Sequence, residues 1–291
     1  MLGYSESNNK KVKLVHRMKI GFFNKRLLGN FLKWVSSISV VFTTVLAFFD
    51  LCPKVKLIVF GCFLGTLLLI YAILLIMANV MTRLKLKINN SIVNIRFDDI
   101  FNQPESDLKV IAFNEYFDTK VDDVIISKNT LNGKYLLQLE QPIEELDELI
   151  ANSTYMQDRI AGKNSKRKAG KIVRYKLGTI YKNKDYLLVA LTHFDENNRA
   201  QLTLQQYSDC LINMWNEIDN LYNGQTVTLP LLGSGITRFK DCRDITDQEL
   251  LEIILWTYRI SKVKFTYPSC LNIVLDERKK DKLNLYKLKG E

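Results

Sequence analysis

The residues best suited to chemistry lie together in Leu231-Leu232-Gly233-Ser234-Gly235-Ile236-Thr237-Arg238-Phe239, directly after the run Thr228-Leu229-Pro230. Two glycines flanking a serine can adopt positive φ, which turns successive backbone N–H groups toward one point and makes an anion nest suited to a diphosphate. The same residues can also form a plain tight turn. Two better-known phosphate loops are excluded. A P-loop ends in Gly-Lys-Ser/Thr, where this chain has Gly235-Ile236-Thr237, and a dinucleotide fingerprint has a third glycine where Arg238 stands.

Little else in the chain offers catalysis. His16 and His193 are its two histidines, too few for a His-based triad together with a His-rich metal site. His193 follows the apolar run Leu187 to Leu191 and reads as a strand-end histidine with a satisfied hydrogen bond. Cys52, Cys62, Cys210, Cys242 and Cys270 form no Cys-x-x-Cys pair and no zinc-like spacing, so neither a metal nor a disulfide framework is expected. General bases near the loop after Phe113 are limited to Glu115 and Asp118.

Strand-like and helical runs alternate along the part that must position the glycine loop. Lys87 to Phe97 alternates in part, and Leu108 to Phe113 suits a strand buried on both faces. Ile172 to Leu177, Tyr186 to Leu191, Thr226 to Leu229, Leu271 to Leu275 and Leu283 to Leu288 complete the predicted strands. Ile143 to Ile150 is a short acidic helix. Leu204, Tyr207, Leu211, Met214, Trp215, Ile218 and Leu221 recur at helical spacing, which places Trp215 in the core. Thr246-Asp247-Gln248-Glu249 has capping-box form and opens another helix through Tyr258. Strands alternating with helices predict a three-layer α/β/α domain.

The formal charge of +10 raises the question of nucleic acid, and its location argues against it. Lys10, Lys11, Lys13, Arg17, Lys19, Lys25, Arg26 and Lys33 crowd before the first apolar run, a pattern that anionic headgroups attract. A second cluster, Lys163, Lys166, Arg167, Lys168, Lys171 and Arg174, reads as a solvated surface loop. No charge interrupts Leu57 to Val80, long enough to cross a hydrocarbon core of roughly 30 Å. Trp34 to Phe49, extended by Phe31, Leu32 and Leu51, forms a second span, and the link Asp50 to Lys56 contains the helix-ending Pro53. Residues 1–30 are then a basic cytoplasmic segment, 31–82 a transmembrane hairpin with spans about 31–51 and 57–80, and 83–291 a cytoplasmic domain. Arg83, Lys85 and Lys87 flank the second span, so the positive-inside rule places both termini in the cytoplasm of a two-pass plasma-membrane protein. Gly61 and Gly65 have the G-x-x-x-G spacing that lets helix backbones approach.

Pro230 to Ile236, with Phe239 close behind, resembles the diphosphate loop of macro domains, which bind ADP-ribose and its relatives. Phe97-Asp98-Asp99-Ile100 is similar to the family's Gly-Asp-Ile, which makes Asp99 the adenine residue, with Asp98 where glycine is usual. Asn114 resembles the family's asparagine near the distal ribose; Glu115-Tyr116-Phe117-Asp118-Thr119 replaces the usual Val-Asn-Ala-Ala-Asn continuation, altering the distal pocket. Leu131-Asn132-Gly133 stands in for the glycine-rich first loop, with one glycine instead of several. The resemblance thus implies ligand contacts at Asp99, Asn114, Asp118, Gly133, Leu232, Gly233, Ser234, Gly235, Ile236, Thr237, Arg238 and Phe239, with no catalytic residue and no cofactor. Together with the hairpin, the chain is similar to membrane-anchored macro effectors of Thoeris antiphage systems. That likeness implies an ADP-ribose-derived signal, histidine-linked ADP-ribose made by a TIR-domain enzyme, followed by homo-oligomer formation, membrane disruption and death or arrest of the infected cell. The alternatives are a membrane-tethered ADP-ribosyl hydrolase and a passive ADP-ribose reader.

Overall fold

The computed structural model describes residues 19–49, 52–235, 237–242 and 244–289. Lys10, Lys11, Lys13, His16, Arg17, Asp50, Leu51 and Ile236, all named above, lie outside the described residues. The chain divides into two units, Met1–Met81 and Thr82–Glu291.

The first unit holds two helices, α1 (Lys25–Phe48) and α2 (Pro53–Val80), each long and apolar enough to cross a membrane. The first starts six residues before the predicted span because Asn24 caps it, its side chain accepting from the amides of Arg26 and Leu27. Pro53 opens the second, where its missing N–H costs no helix bond. Phe42 stacks on Phe63 between them, with ring centroids 4.3 Å apart. Asn79 on α2 accepts from the Ile20 amide at 3.0 Å, fastening the segment before α1. Leu57, Ile58, Leu68, Leu69, Ile76 and Met77 are exposed, the surface that lipid would cover.

The second unit is built on a sheet of nine strands among the described residues. In chain order its elements are β1 (Arg83–Ile88), β2 (Ser91–Phe97), β3 (Leu108–Asn114), α3 (Leu131–Leu137), α4 (Ile143–Asn152), α5 (Thr154–Gln157), β4 (Ile160–Lys163), β5 (Val173–Tyr175), β6 (Ile180–Asn183) and β7 (Tyr186–Phe194). There follow β8 (Ala200–Leu202), α6 (Leu204–Leu221), β9 (Val227–Pro230), β10 (Arg238–Phe239), α7 (Asp247–Ile260), β11 (Leu271–Leu275), a 3₁₀ turn at Glu277–Lys279 and α8 (Leu285–Leu288). The strand order is β1-β2-β11-β9-β3-β7-β8-β10, with β6 also on β7. The central strands β2, β11, β9, β3 and β7 run parallel, so their carboxyl ends share one rim. Helices cover both faces, giving the α/β/α architecture.

One face carries Ile111, Phe113, Leu188 and Ala190 under Tyr135, Leu136, Leu146, Ile150 and Met156 of α3 to α5. Elsewhere α6 packs on α7, where Trp215 is fully buried and its indole N–H donates to Thr257 at 3.1 Å. The predicted capping box acts as such, Thr246 with Glu249 opening α7, and the structure adds a second at Thr203 with Gln206, which opens α6.

Three predicted strands are redrawn. Lys87 to Phe97 is a hairpin, because Asn89 and Asn90 adopt φ of 51° and 63° and reverse the chain. Ile172 to Leu177 shrinks to β5, which pairs with β4 in a separate ladder. Leu283 to Leu288 ends in the helix α8, capped by Asn284, whose side chain accepts from the Tyr286 amide.

Candidate functional site

The loop after β9 leaves the parallel rim. Leu231 and Leu232 are buried, and Gly233 takes φ 78°, a left-handed conformation in which a side chain is strained. The space a Cβ would need there is bounded by Tyr207 at 3.2 Å and Phe239 at 3.4 Å. These two rings pack edge to face, 5.4 Å apart, and form the floor of the loop. Three loop carbonyls are tied down. Ser234 Oγ donates to Leu231 O at 2.6 Å, Tyr207 OH donates to Leu232 O at 2.8 Å, and Lys279 Nζ donates to Ser234 O at 2.5 Å. Lys279 also reaches Asp247 Oδ1 at 2.9 Å, joining the loop to the first turn of α7. Among the described residues, none of the amides of Leu232, Gly233, Ser234 and Gly235 donates a hydrogen bond. Such a run of unpaired donors suits an oxyanion. A cleft of 660 Å³ opens here, with Gly233, Ser234, Gly235, Thr237, Arg238 and Phe239 in its lining.

Among the described residues, Asp99, Asn114, Asp118, Gly133 and Leu232 are not in the lining of this cleft. Asp99 is exposed after β2 and caps a 3₁₀ turn, accepting from the Phe101 amide at 3.1 Å. Beside it, burial raises the pKa of Asp98, but hydrogen bonds from Gln103, the Asp99 amide and Arg96 outweigh this and leave it below its ordinary value. Asn114 ends β3 buried; its Oδ1 accepts from the amides of Tyr116 and Asp118, and its Nδ2 donates to Asp118 at 2.9 Å. Gly133 is not in a loop. It sits in the first turn of α3, with no room for a Cβ against Ser127 O at 2.2 Å.

Asp118, which the resemblance implies as a ligand contact, is engaged within the protein. It is buried in an ion pair with Arg167, whose Nη1 donates to it at 3.1 Å, and it also accepts from the Lys171 amide at 2.8 Å. Arg167 lies over the Tyr116 ring at 4.0 Å and donates to Asn198. The Lys163 to Arg174 cluster is therefore not solvated throughout: its Arg167 locks that segment to the loop after β3. Nothing in a run of six basic residues distinguishes the one that is buried. Nearby, His193 Nδ1 bonds Glu115 Oε2 at 2.8 Å, with Glu115 buried and His193 one third exposed. Across the sheet His193 pairs with Gln201, which pairs with Arg238, so the three side chains share a face. Tyr207 read only as a position on an amphipathic helix and Lys279 was not singled out; no sequence signal tied either to the glycine loop.

A family profile described as "Thoeris protein ThsA, Macro domain" matches residues 93–276, more than half of the chain. The Thoeris protein ThsA of Bacillus amyloliquefaciens (strain Y2) is 44% identical over 266 residues, 89% of each chain. Among solved structures, a mutant of the Oceanobacillus iheyensis macrodomain aligns at TM-score 0.47 and 14% identity, over 72% of this chain and 97% of that one. The same macrodomain with ADP aligns at TM-score 0.46 and 12% identity, over 72% and 95%. On the profile match and the identity to a relative covered over 89% of its length, the chain belongs to the ThsA family of Thoeris proteins and carries that family's macro domain.

Proposed function

We propose that this protein is an antiphage defence effector whose macro domain senses an ADP-ribose-derived nucleotide and whose hairpin converts binding into membrane damage. The observation that carries the ligand reading is the row of amides from Leu232 to Gly235, unpaired among the described residues and including the left-handed Gly233, which offers a diphosphate several donors at once. Histidine-linked ADP-ribose, made from NAD by a TIR-domain enzyme, is the proposed signal. Binding favours a homo-oligomer that gathers hairpins in the plasma membrane, both termini and the macro domain being cytoplasmic. A receptor of this kind needs a ligand that prefers one of two states, and assembly supplies the second state.

Sensing is favoured over turnover because Asn114 and Asp118 spend their polar atoms on each other, on backbone amides and on Arg167. Calorimetry with ADP-ribose, NAD and histidine-linked ADP-ribose, followed by sizing in detergent, tests the proposal. Tightest binding of the histidine conjugate with a ligand-dependent gain in size is expected; equal weak binding of all three would overturn signal sensing. One observation favours hydrolysis instead: Glu115 and His193 form an acid–imidazole pair able to accept a proton. Release of free ADP-ribose from the conjugate, lost in His193→Ala, would establish that second reading.

A further inference from the structure

We infer that Tyr207 and Lys279 are positioning residues for anion binding: by holding the Leu232 and Ser234 carbonyls down, they keep the Gly233 and Gly235 amides turned outward for a diphosphate. The inference rests on the reading of this loop as the nucleotide's anion site.

In a trans peptide the carbonyl of one residue and the N–H of the next point in opposite directions, so anchoring a carbonyl orients the following amide. Tyr207 OH fixes the Leu232 carbonyl at 2.8 Å, which turns the Gly233 N–H away from α6. Lys279 Nζ fixes the Ser234 carbonyl at 2.5 Å, which turns the Gly235 N–H away from the 3₁₀ turn after β11. Ser234 Oγ does the same for the Leu231 carbonyl and hence for the Leu232 N–H. The three amides oriented in this way are among those with no acceptor among the described residues.

Both anchors are built to last. Tyr207 is fully buried, and burial pushes its phenol pKa well above the ordinary value of 10.0, so the hydroxyl stays a donor at working pH. Lys279 is held from its other side by Asp247, itself largely buried, so its ammonium cannot swing into solvent without breaking two bonds. The anchors come from two separate elements, α6 and the turn after β11, and clamp the loop from both. A loop arranged in advance spends no binding energy on ordering its donors.

The test is calorimetry on the full chain in detergent, with ADP-ribose as the probe and adenosine, which lacks the diphosphate, as the control. Tyr207→Phe keeps the ring against Gly233 and Phe239 and removes only the hydroxyl; Lys279→Met keeps the stem and removes the charge. Each variant is expected to weaken ADP-ribose binding about tenfold, the worth of one well-placed hydrogen bond, while adenosine binding stays at its wild-type value and the melting temperature falls by a few degrees as a carbonyl loses its donor. Wild-type affinity for ADP-ribose in both variants, or equal losses for ADP-ribose and adenosine, overturns the positioning role alone. A wild-type chain that binds no ADP-ribose overturns the functional reading and this inference together.

Discussion

Gly233 and Gly235 are one residue apart in the same loop, yet they are constrained differently. Gly233 needs φ 78° and has Tyr207 and Phe239 against the place of a Cβ, whereas Gly235 has open space and no left-handed requirement. Left-handed backbone costs a side chain about 1–2 kcal/mol, so Gly233→Ala is expected to weaken ADP-ribose binding about tenfold or more, and Gly235→Ala to leave it nearly unchanged. Equal losses in a calorimetric titration would mean that the loop's conformation is not what binds. The Asp118–Arg167 pair makes a second residue-scale prediction. Its side chains are 2% and 0% exposed, so Arg167→Met strands a buried carboxylate and is expected to cost about 3–5 kcal/mol in denaturant unfolding. The double change Asp118→Leu with Arg167→Met removes both charges and should recover much of that loss. Gly233 was legible in the sequence because positive φ has a residue signature, whereas Gly235, read in the same way, does not adopt it. Arg167 and Lys279 were not legible, because any lysine or arginine in a basic run can be the one that turns inward.

Elements were legible where their ends carry chemistry. Thr246 and Glu249, predicted as a capping box, start α7, and the same device at Thr203 and Gln206 starts α6. Thr203→Ala is expected to destabilise the domain by about 1 kcal/mol, read as a lowered melting temperature, with α6 fraying first in hydrogen exchange. Glu249 adds a pH dependence. The hydrogen bond from the Thr246 amide, then that from the Thr246 hydroxyl, lowers its pKa from the ordinary 4.5. Because the folded value is the lower one, its capping contribution is complete above 4.5 and is lost as pH falls through the folded value. Hydrogen-exchange protection at the first turn of α7, taken relative to the intrinsic rate at each pH, should therefore fall on acidification in the wild type and not in Glu249→Gln, which lacks the titrating group. Strands were harder to read. The β1–β2 turn rests on two asparagines at positive φ inside an alternating apolar run, and periodicity alone carries straight through it. Leu283 to Leu288 has strand-like composition, but Asn284 caps a helical turn, and an asparagine can serve either outcome. Gly133 was placed in the glycine-rich first loop by resemblance, but glycine serves a bend and a close approach alike, and the Ser127 carbonyl shows that the second applies.

For the whole molecule, the informative feature is how little chain joins the two units. Helix α2 ends at Val80 and β1 begins at Arg83, so only Met81 and Thr82 separate an apolar helix from the first strand of the sheet. A flexible linker transmits effective concentration but little orientation, whereas two residues transmit both. If ligand-driven assembly of macro domains damages the membrane by aligning hairpins, slack at this junction should separate the two steps. Inserting ten Gly/Ser residues between Met81 and Thr82 adds roughly 17 Å of root-mean-square reach by random-coil scaling. The expected outcome is unchanged calorimetric affinity for ADP-ribose and an unchanged ligand-dependent gain in size, with loss of depolarisation and growth arrest in cells that also express the signal source. A two-residue Gly-Ser insertion should give an intermediate defect, since it restores freedom of rotation with little added reach. Full depolarisation with the ten-residue insertion would show that clustering alone disrupts the bilayer and that the short junction carries no orientation. Loss of ligand-dependent assembly in the same variant would instead place the hairpin inside the oligomer's own contacts, with the exposed apolar faces of α1 and α2 as the surfaces to mutate next.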